Sequence, residues 1–150
     1  MTSASLPRRA GAFLAAVVLT AVWGSIFQTH DTLSRLVAIG AEIPSGLRFQ
    51  ATLADLGGFA PVYAAIVAAA LLVAFLVAGG LSVLLPQVRH TLHALGAGLG
   101  LAVAIRLIDA LAPMPTLIAA TRDTTGLLVM ALGAVVGGWL YAWITRPRFG

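Results

Sequence analysis

The chain contains no cysteine and no lysine, and only 9% of its 150 residues are charged. The lack of cysteine excludes disulfide exchange, thiolate catalysis, iron–sulfur clusters and cysteine-based zinc sites, and it leaves the compartment open. The lack of lysine makes all nine basic residues arginine. Arginine's planar fork suits phosphate and carboxylate, but a GC-rich genome, which would also raise Ala, Gly, Leu and Val, is the simpler reading. So little charge excludes an ordinary soluble domain, which is typically about 25% charged. The arginines are scattered and have no soluble domain to carry a basic face, which argues against nucleic acid as a partner.

What is present is apolar: 60% of residues are hydrophobic and mean hydropathy is +1.01. A helix needs about 20 apolar residues to cross a bilayer. Four runs are long enough, at about 10–27, 61–85, 92–111 and 124–144. The expected fold is an all-α membrane protein, a single four-helix transmembrane domain over 1–150. Pro61 opens the second span, where a missing N–H costs nothing. Pro113 stops the third and Pro147 follows the fourth. Arg8-Arg9 before an apolar run also fits the start of a signal peptide. No small-x-small cleavage site follows cleanly, and Trp23 and Phe27 crowd the region, so an uncleaved anchor is expected.

Arginine placement sets the expected orientation. With the N-terminus inside, the cytoplasmic ends carry Arg8, Arg9, Arg89, Arg146 and Arg148 and no acid, while the outer segments carry Arg35, Arg48 and Arg122 against Asp31, Glu42, Asp55 and Asp123. The expectation is therefore N-in/C-in, in a bacterial inner (cytoplasmic) membrane. Trp139, Tyr141 and Trp143 would mark the inner interface, and Trp23 and Phe27 the outer one.

Residues 28–60 form the one polar segment able to hold structure of its own. Asp31 or Thr32 can cap a short helix carrying Leu33, Leu36 and Val37; Pro44-Ser45-Gly46 breaks it; a second carries Phe49, Leu53 and Leu56 and ends at Gly57-Gly58. Two short amphipathic helices lying in the plane of the outer interface are expected. His30, Asp31, Arg48 and Asp55 are their polar contacts, with Arg122 and Asp123 approaching from the other outer loop.

Close contact between small residues drives helix association in lipid. In the third span Thr91, Leu95, Gly98, Ala102, Arg106 and Asp109 share a stripe about 80° wide, while Gly96 and Gly100 lie opposite. Small residues on two sides place that span centrally. The fourth span has one stripe, Gly126, Met130, Gly133, Gly137 and Tyr141. These stripes serve packing within the chain or a second subunit.

Arg106 and Asp109 are the only ionisable pair within a span, and such groups are functional candidates. Three uses are open: a structural pair, a contact to another subunit or lipid headgroup, or an ion relay. Asp109 is close to the outer end, and the inner half of the span is Gly, Ala and Leu, which argues against a relay. His90 and His93 are three apart at the inner end, without a third ligand type; a solvated interfacial pair is expected rather than a metal site. Neither paired carboxylates, a nucleophile triad, a phosphate loop nor a dinucleotide motif appears. Small multidrug transporters carry a Glu in the first span, and glutathione-dependent membrane enzymes of this size carry denser Arg, Asn and Glu; the chain resembles neither.

The sequence thus points to a non-enzymatic accessory or scaffold subunit of a larger inner-membrane complex, with the bilayer and a membrane protein or second copy as partners, no cofactor and no metal. The first alternative is a binder of lipid or another apolar molecule near Arg48, Arg106, Asp109, His30 and Asp31. The second is a membrane enzyme using that outer-face cluster.

Overall fold

A computed structural model describes residues 5–111 and 118–146. Pro113, Pro147 and Arg148, named above, lie outside the described residues. Four helices make up the fold: α1 (Leu6–Ala38), α2 (Ser45–Leu84), α3 (Arg89–Leu111) and α4 (Thr124–Ile144), with 3-10 turns at Pro86–Val88 and Ala119–Arg122. All four are long and apolar enough to cross a membrane.

Each helix packs against two others, in the cyclic order α1–α2–α3–α4–α1, and α2 and α4 barely meet across the diagonal. The shared core holds Val17 and Ala21 of α1, Tyr63, Val67, Leu71 and Phe75 of α2, Leu101 and Ile105 of α3, and Met130 and Ala134 of α4. The third span is therefore one of four equivalent corners rather than central. Its two small faces are nonetheless both occupied. Gly96 and Gly100 lie on Ala74 of α2, and Gly98 lies on Val135 of α4. Ala102 is half-buried.

The tightest approaches involve α4. A Cβ on Gly137 would lie 2.6 Å from Thr20 Oγ1 and 3.0 Å from the Ala16 carbonyl oxygen of α1. One on Gly133 would lie 2.5 Å from Trp23 Cδ1, and one on Gly138 would meet the His93 carbonyl of α3. Gly126 sits against the Ala120 carbonyl in the turn before α4. The indole N–H of Trp23 donates to the Val129 carbonyl at 3.0 Å, so this side chain ties α1 to α4.

Residues 28–60 depart from expectation. They do not form separate short helices: α1 runs on to Ala38, and α2 starts at Ser45 and continues through Gly57, Gly58 and Pro61. The break falls at 39–44. The Ala41 N–H donates to the Leu36 carbonyl and the Gly40 N–H to the Val37 carbonyl, with Gly40 at φ +95°. This paired closure satisfies the last carbonyls of α1 and needs a left-handed residue, which glycine supplies. Pro61 removes one intrahelical hydrogen bond, yet α2 continues through it, with Phe59 and Tyr63 stacked on each other and Ala60 and Tyr63 buried.

At about 1.5 Å per residue, α1 is roughly 50 Å long and α2 roughly 60 Å, against a hydrocarbon core of about 30 Å. The register locates the excess. Gly133 meets Trp23, and Gly137 meets Thr20 and Ala16, so antiparallel counting puts Thr124, the start of α4, level with about residue 31 of α1. Gly96 and Gly100 on Ala74 put Leu111 level with Pro61 by the same counting. Residues 29–38 and 45–60 form a helical hairpin, here called the arm, which extends beyond the end of α3 and, past about residue 31, beyond the start of α4.

Replacing Gly137 by Ala should push α1 from α4 and cost about 1–3 kcal/mol by overpacking. Gly79→Ala, where an added Cβ meets nothing within 4 Å, should be neutral or stabilising by up to about 1 kcal/mol. Unfolding in graded SDS, followed by circular dichroism, checks both.

Candidate functional site

The two ends of the bundle differ in charge: among the described residues one carries only basic charged side chains, and the other carries both signs, with Arg35, Arg48, Arg106 and Arg122 beside the acids. Arg8, Arg9, Arg89 and Arg146 gather at the end shared by the described terminal residues and the α2–α3 connection. All five Asp and Glu side chains, Asp31, Glu42, Asp55, Asp109 and Asp123, lie at the arm end.

At the arm end, Arg35 is the hub. Its Nε donates to Asp31 Oδ2 at 2.8 Å, one turn earlier on α1, and its NH2 group donates to Asp123 Oδ2 at 2.5 Å. Asp123 also caps α4: its Oδ1 accepts from the Gly126 N–H at 2.7 Å. That bond, and secondarily Arg35, holds the Asp123 carboxyl below the usual carboxylate range. The carboxylate so fixes the arm to the start of α4. On the other side of the arm, Thr29 Oγ1 donates to Asp55 Oδ2 at 2.6 Å, joining α1 to α2. Asp123 thus meets the 28–60 segment, through a residue that sequence reasoning counted only as charge. Arg35 and Gln28 were missed because their partners lie 88 and 92 positions away.

The residues expected to form one outer cluster separate. His30 is exposed on the arm, and Asp31 is engaged by Arg35. Arg48 lies near the arm tip, more than about 20 Å along the helix axis from the level of Arg106 and Asp109 at about 1.5 Å per residue. Arg106 and Asp109 do not pair: among the described residues no ion pair joins them. Spaced three apart, they differ by about 60° around the helix. Arg106 faces outward beside an apolar groove of about 420 Å³ lined by Ala102, Val103, Leu107, Ala110 and Leu127. Asp109 turns inward, and its Oδ2 is buried without a hydrogen bond among the described residues.

Two further buried polar atoms, Ser25 Oγ and Tyr63 Oη, share that condition. Tyr63 is 1% exposed and its ring edge lies on Gly24 and Met130. Both were missed, since a lone hydroxyl in an apolar run carries no pattern.

At the arginine end the expected solvated histidine pair is not formed. His93 is 2% exposed, stacked on Tyr141 at 5.4 Å and beside Phe75 at 5.7 Å. Its Nδ1 lies 2.8 Å from the Arg89 carbonyl. The aromatic cluster of Phe13, Phe75 and Tyr141 sets this burial, which single-helix periodicity cannot reveal. Arg89 reaches across to cap α4, donating to the Ala142 carbonyl at 2.8 Å and to Thr145 Oγ1 at 2.6 Å. Among the described residues no three potential metal ligands of the His, Asp and Glu types converge.

No family model, curated protein or solved structure matches the chain.

Asp123 contributes stability above the ordinary carboxylate pKa, and that contribution is lost as pH falls through its depressed value. The melting-temperature deficit of Asp123→Ala relative to wild type should therefore be full at neutral pH and shrink steadily below about pH 4. Thermal melts between neutral pH and pH 2 check this.

Proposed function

We propose that this protein is a non-enzymatic accessory subunit that grips a larger membrane-protein complex with its helical arm, the four spans serving as its base. The observation that carries the reading is the arm's apolar exterior. Leu36, Val37, Ile39, Leu47, Phe49 and Leu53 are exposed, Ile39 at 80% and Phe49 at 66%, in a hairpin standing beyond the level of the spans. Two helices alone bury little of their own apolar surface, and exposed apolar side chains of this size suit a protein contact. Two polar residues fix the arm: Arg35 reaches Asp123 at the start of α4, and Asp55 of α2 accepts from Thr29 of α1. Rigid presentation lowers the ordering cost of docking.

In this reading the chain sits in a bacterial inner membrane with both termini in the cytosol, supported by the arginine bias of the terminal end, and the arm faces outward. Its glycine stripes are consumed by contacts within the chain, so the partner surface is the arm rather than the stripes. A carrier of lipid or another apolar molecule beneath the arm would need Arg48, Arg106 and Asp109 together, and they sit at different levels.

Phe49→Glu combined with Leu53→Glu should leave helix content and SDS resistance unchanged while reducing recovery of a stoichiometric partner about tenfold or more in mild-detergent purification from the native host, as expected for loss of central apolar anchors. The purified pair should reassemble with wild-type arm only. A wild-type chain that purifies alone, or a variant that retains its partner, would contradict the reading.

A further inference from the structure

The geometry points to a second binding site, at the arginine end: a cleft between the start of α1 and the end of α4 that holds the phosphate of an anionic phospholipid. The cleft, of about 210 Å³, is lined by Arg8, Trp143, Ile144 and Arg146. Its two arginines are 138 positions apart in sequence and converge only because α1 and α4 pack side by side. The Arg146 guanidinium carbon stands 5.5 Å from the Trp143 ring centroid, within reach of a cation–π contact. Arg8 is half-buried at the opposite wall.

Among the described residues no acidic side chain neutralises this pair. All five Asp and Glu side chains lie at the arm end, and α1 has no acidic residue in its first turn and no side-chain cap on its first N–H groups. Arg8 therefore sits beside the positive end of a helix dipole, an arrangement that an anion relieves. Two guanidinium forks provide the charge-assisted donors that phosphate takes best. The apolar walls select a lipid over a free anion: Trp143, Ile144 and the 80% exposed Leu6 continue onto the flank of the spans, where acyl chains lie. Basic clefts between helices at a membrane face are suited to such headgroups.

The cleft is remote from the arm, so the test is independent of the docking role. Delipidated protein in mild detergent is titrated with phosphatidylglycerol or phosphatidylcholine and read by native mass spectrometry. Phosphatidylglycerol should bind about 30-fold more tightly, the effect of two near-surface arginines. Arg8→Gln with Arg146→Gln should erase that preference. Arg48→Gln with Arg106→Gln, which removes equal charge at the other end, should preserve it. Equal binding of the two lipids, or equal loss in both double variants, would overturn the site. Displacement of phosphatidylglycerol by millimolar inorganic phosphate would reassign it to a small anion and overturn the lipid claim. Should the first double variant fail to fold, Arg146→Gln alone is used: a retained preference would overturn the site, and a reduced one would support it.

Discussion

The fold rests on how near α4 can come to its neighbours. Lipid tails are as apolar as the side chains they touch, so burial gives little reason for helices to associate, and contact between backbones must supply it. Gly133 and Gly137 admit Trp23 and Thr20 of α1, while Gly138 admits the His93 carbonyl of α3. One helix thus seals two seams of the ring. With α1 and α3 held at α4, α2 closes the circle through its alanines, and the position of every end group follows. Arg89 can cap α4 only because α3 and α4 are in close contact, and Arg35 can reach Asp123 only because α1 and α4 are.

This closeness explains why the arm can be stiff. The pairing of α1 with α2 continues past the level at which the other two helices stop, and it is fastened at its base on both sides, by Thr29 to Asp55 and by Arg35 to Asp123. A hairpin held in that manner offers apolar side chains on a defined frame. The opposite end differs: its charged side chains are basic, Phe75 and Tyr141 are packed on His93, and Arg89 is consumed by capping. Separation of charge between the two ends is therefore a property of the folded ring as much as of the sequence.

Much of this was legible in the chain, but unevenly. The third and fourth spans were expected at 92–111 and 124–144, and the helices run Arg89–Leu111 and Thr124–Ile144. The first two helices, Leu6–Ala38 and Ser45–Leu84, extend beyond the apolar runs at 10–27 and 61–85, because a helix stops where its hydrogen bonding stops and not where its apolar run does. Gly57, Gly58 and Pro61 are breakers by local preference, yet packing on α1 carries α2 through them. Gly40 and Pro44, with no such support, do end the helices. Small-residue spacing does not say which helix each glycine meets; Gly96 and Gly100 face α2, Gly98 faces α4, and Gly133 and Gly137 face α1. The polar contacts were least legible. Arg106 and Asp109 have a spacing that permits a pair, yet Arg106 is exposed and Asp109 Oδ2 is buried, and no ion pair joins them. The contacts that do form, Arg35 with Asp123 and Gln28 with Ala120, join residues whose separation in sequence gives no cue.

The central proposal is that the bundle spans the bilayer with Ser5 and Arg146, the described ends, on one side and the α1–α2 arm in water on the other. The cysteine-free sequence permits a direct test by single substitutions, Ser5→Cys, Leu53→Cys and Leu72→Cys, probed in intact cells with a membrane-impermeant maleimide. The account predicts labelling of Leu53→Cys from outside, labelling of Ser5→Cys only after lysis, and protection of Leu72→Cys throughout. Labelling of the first two from the same side, or protection of Leu53→Cys as complete as that of Leu72→Cys, would contradict it.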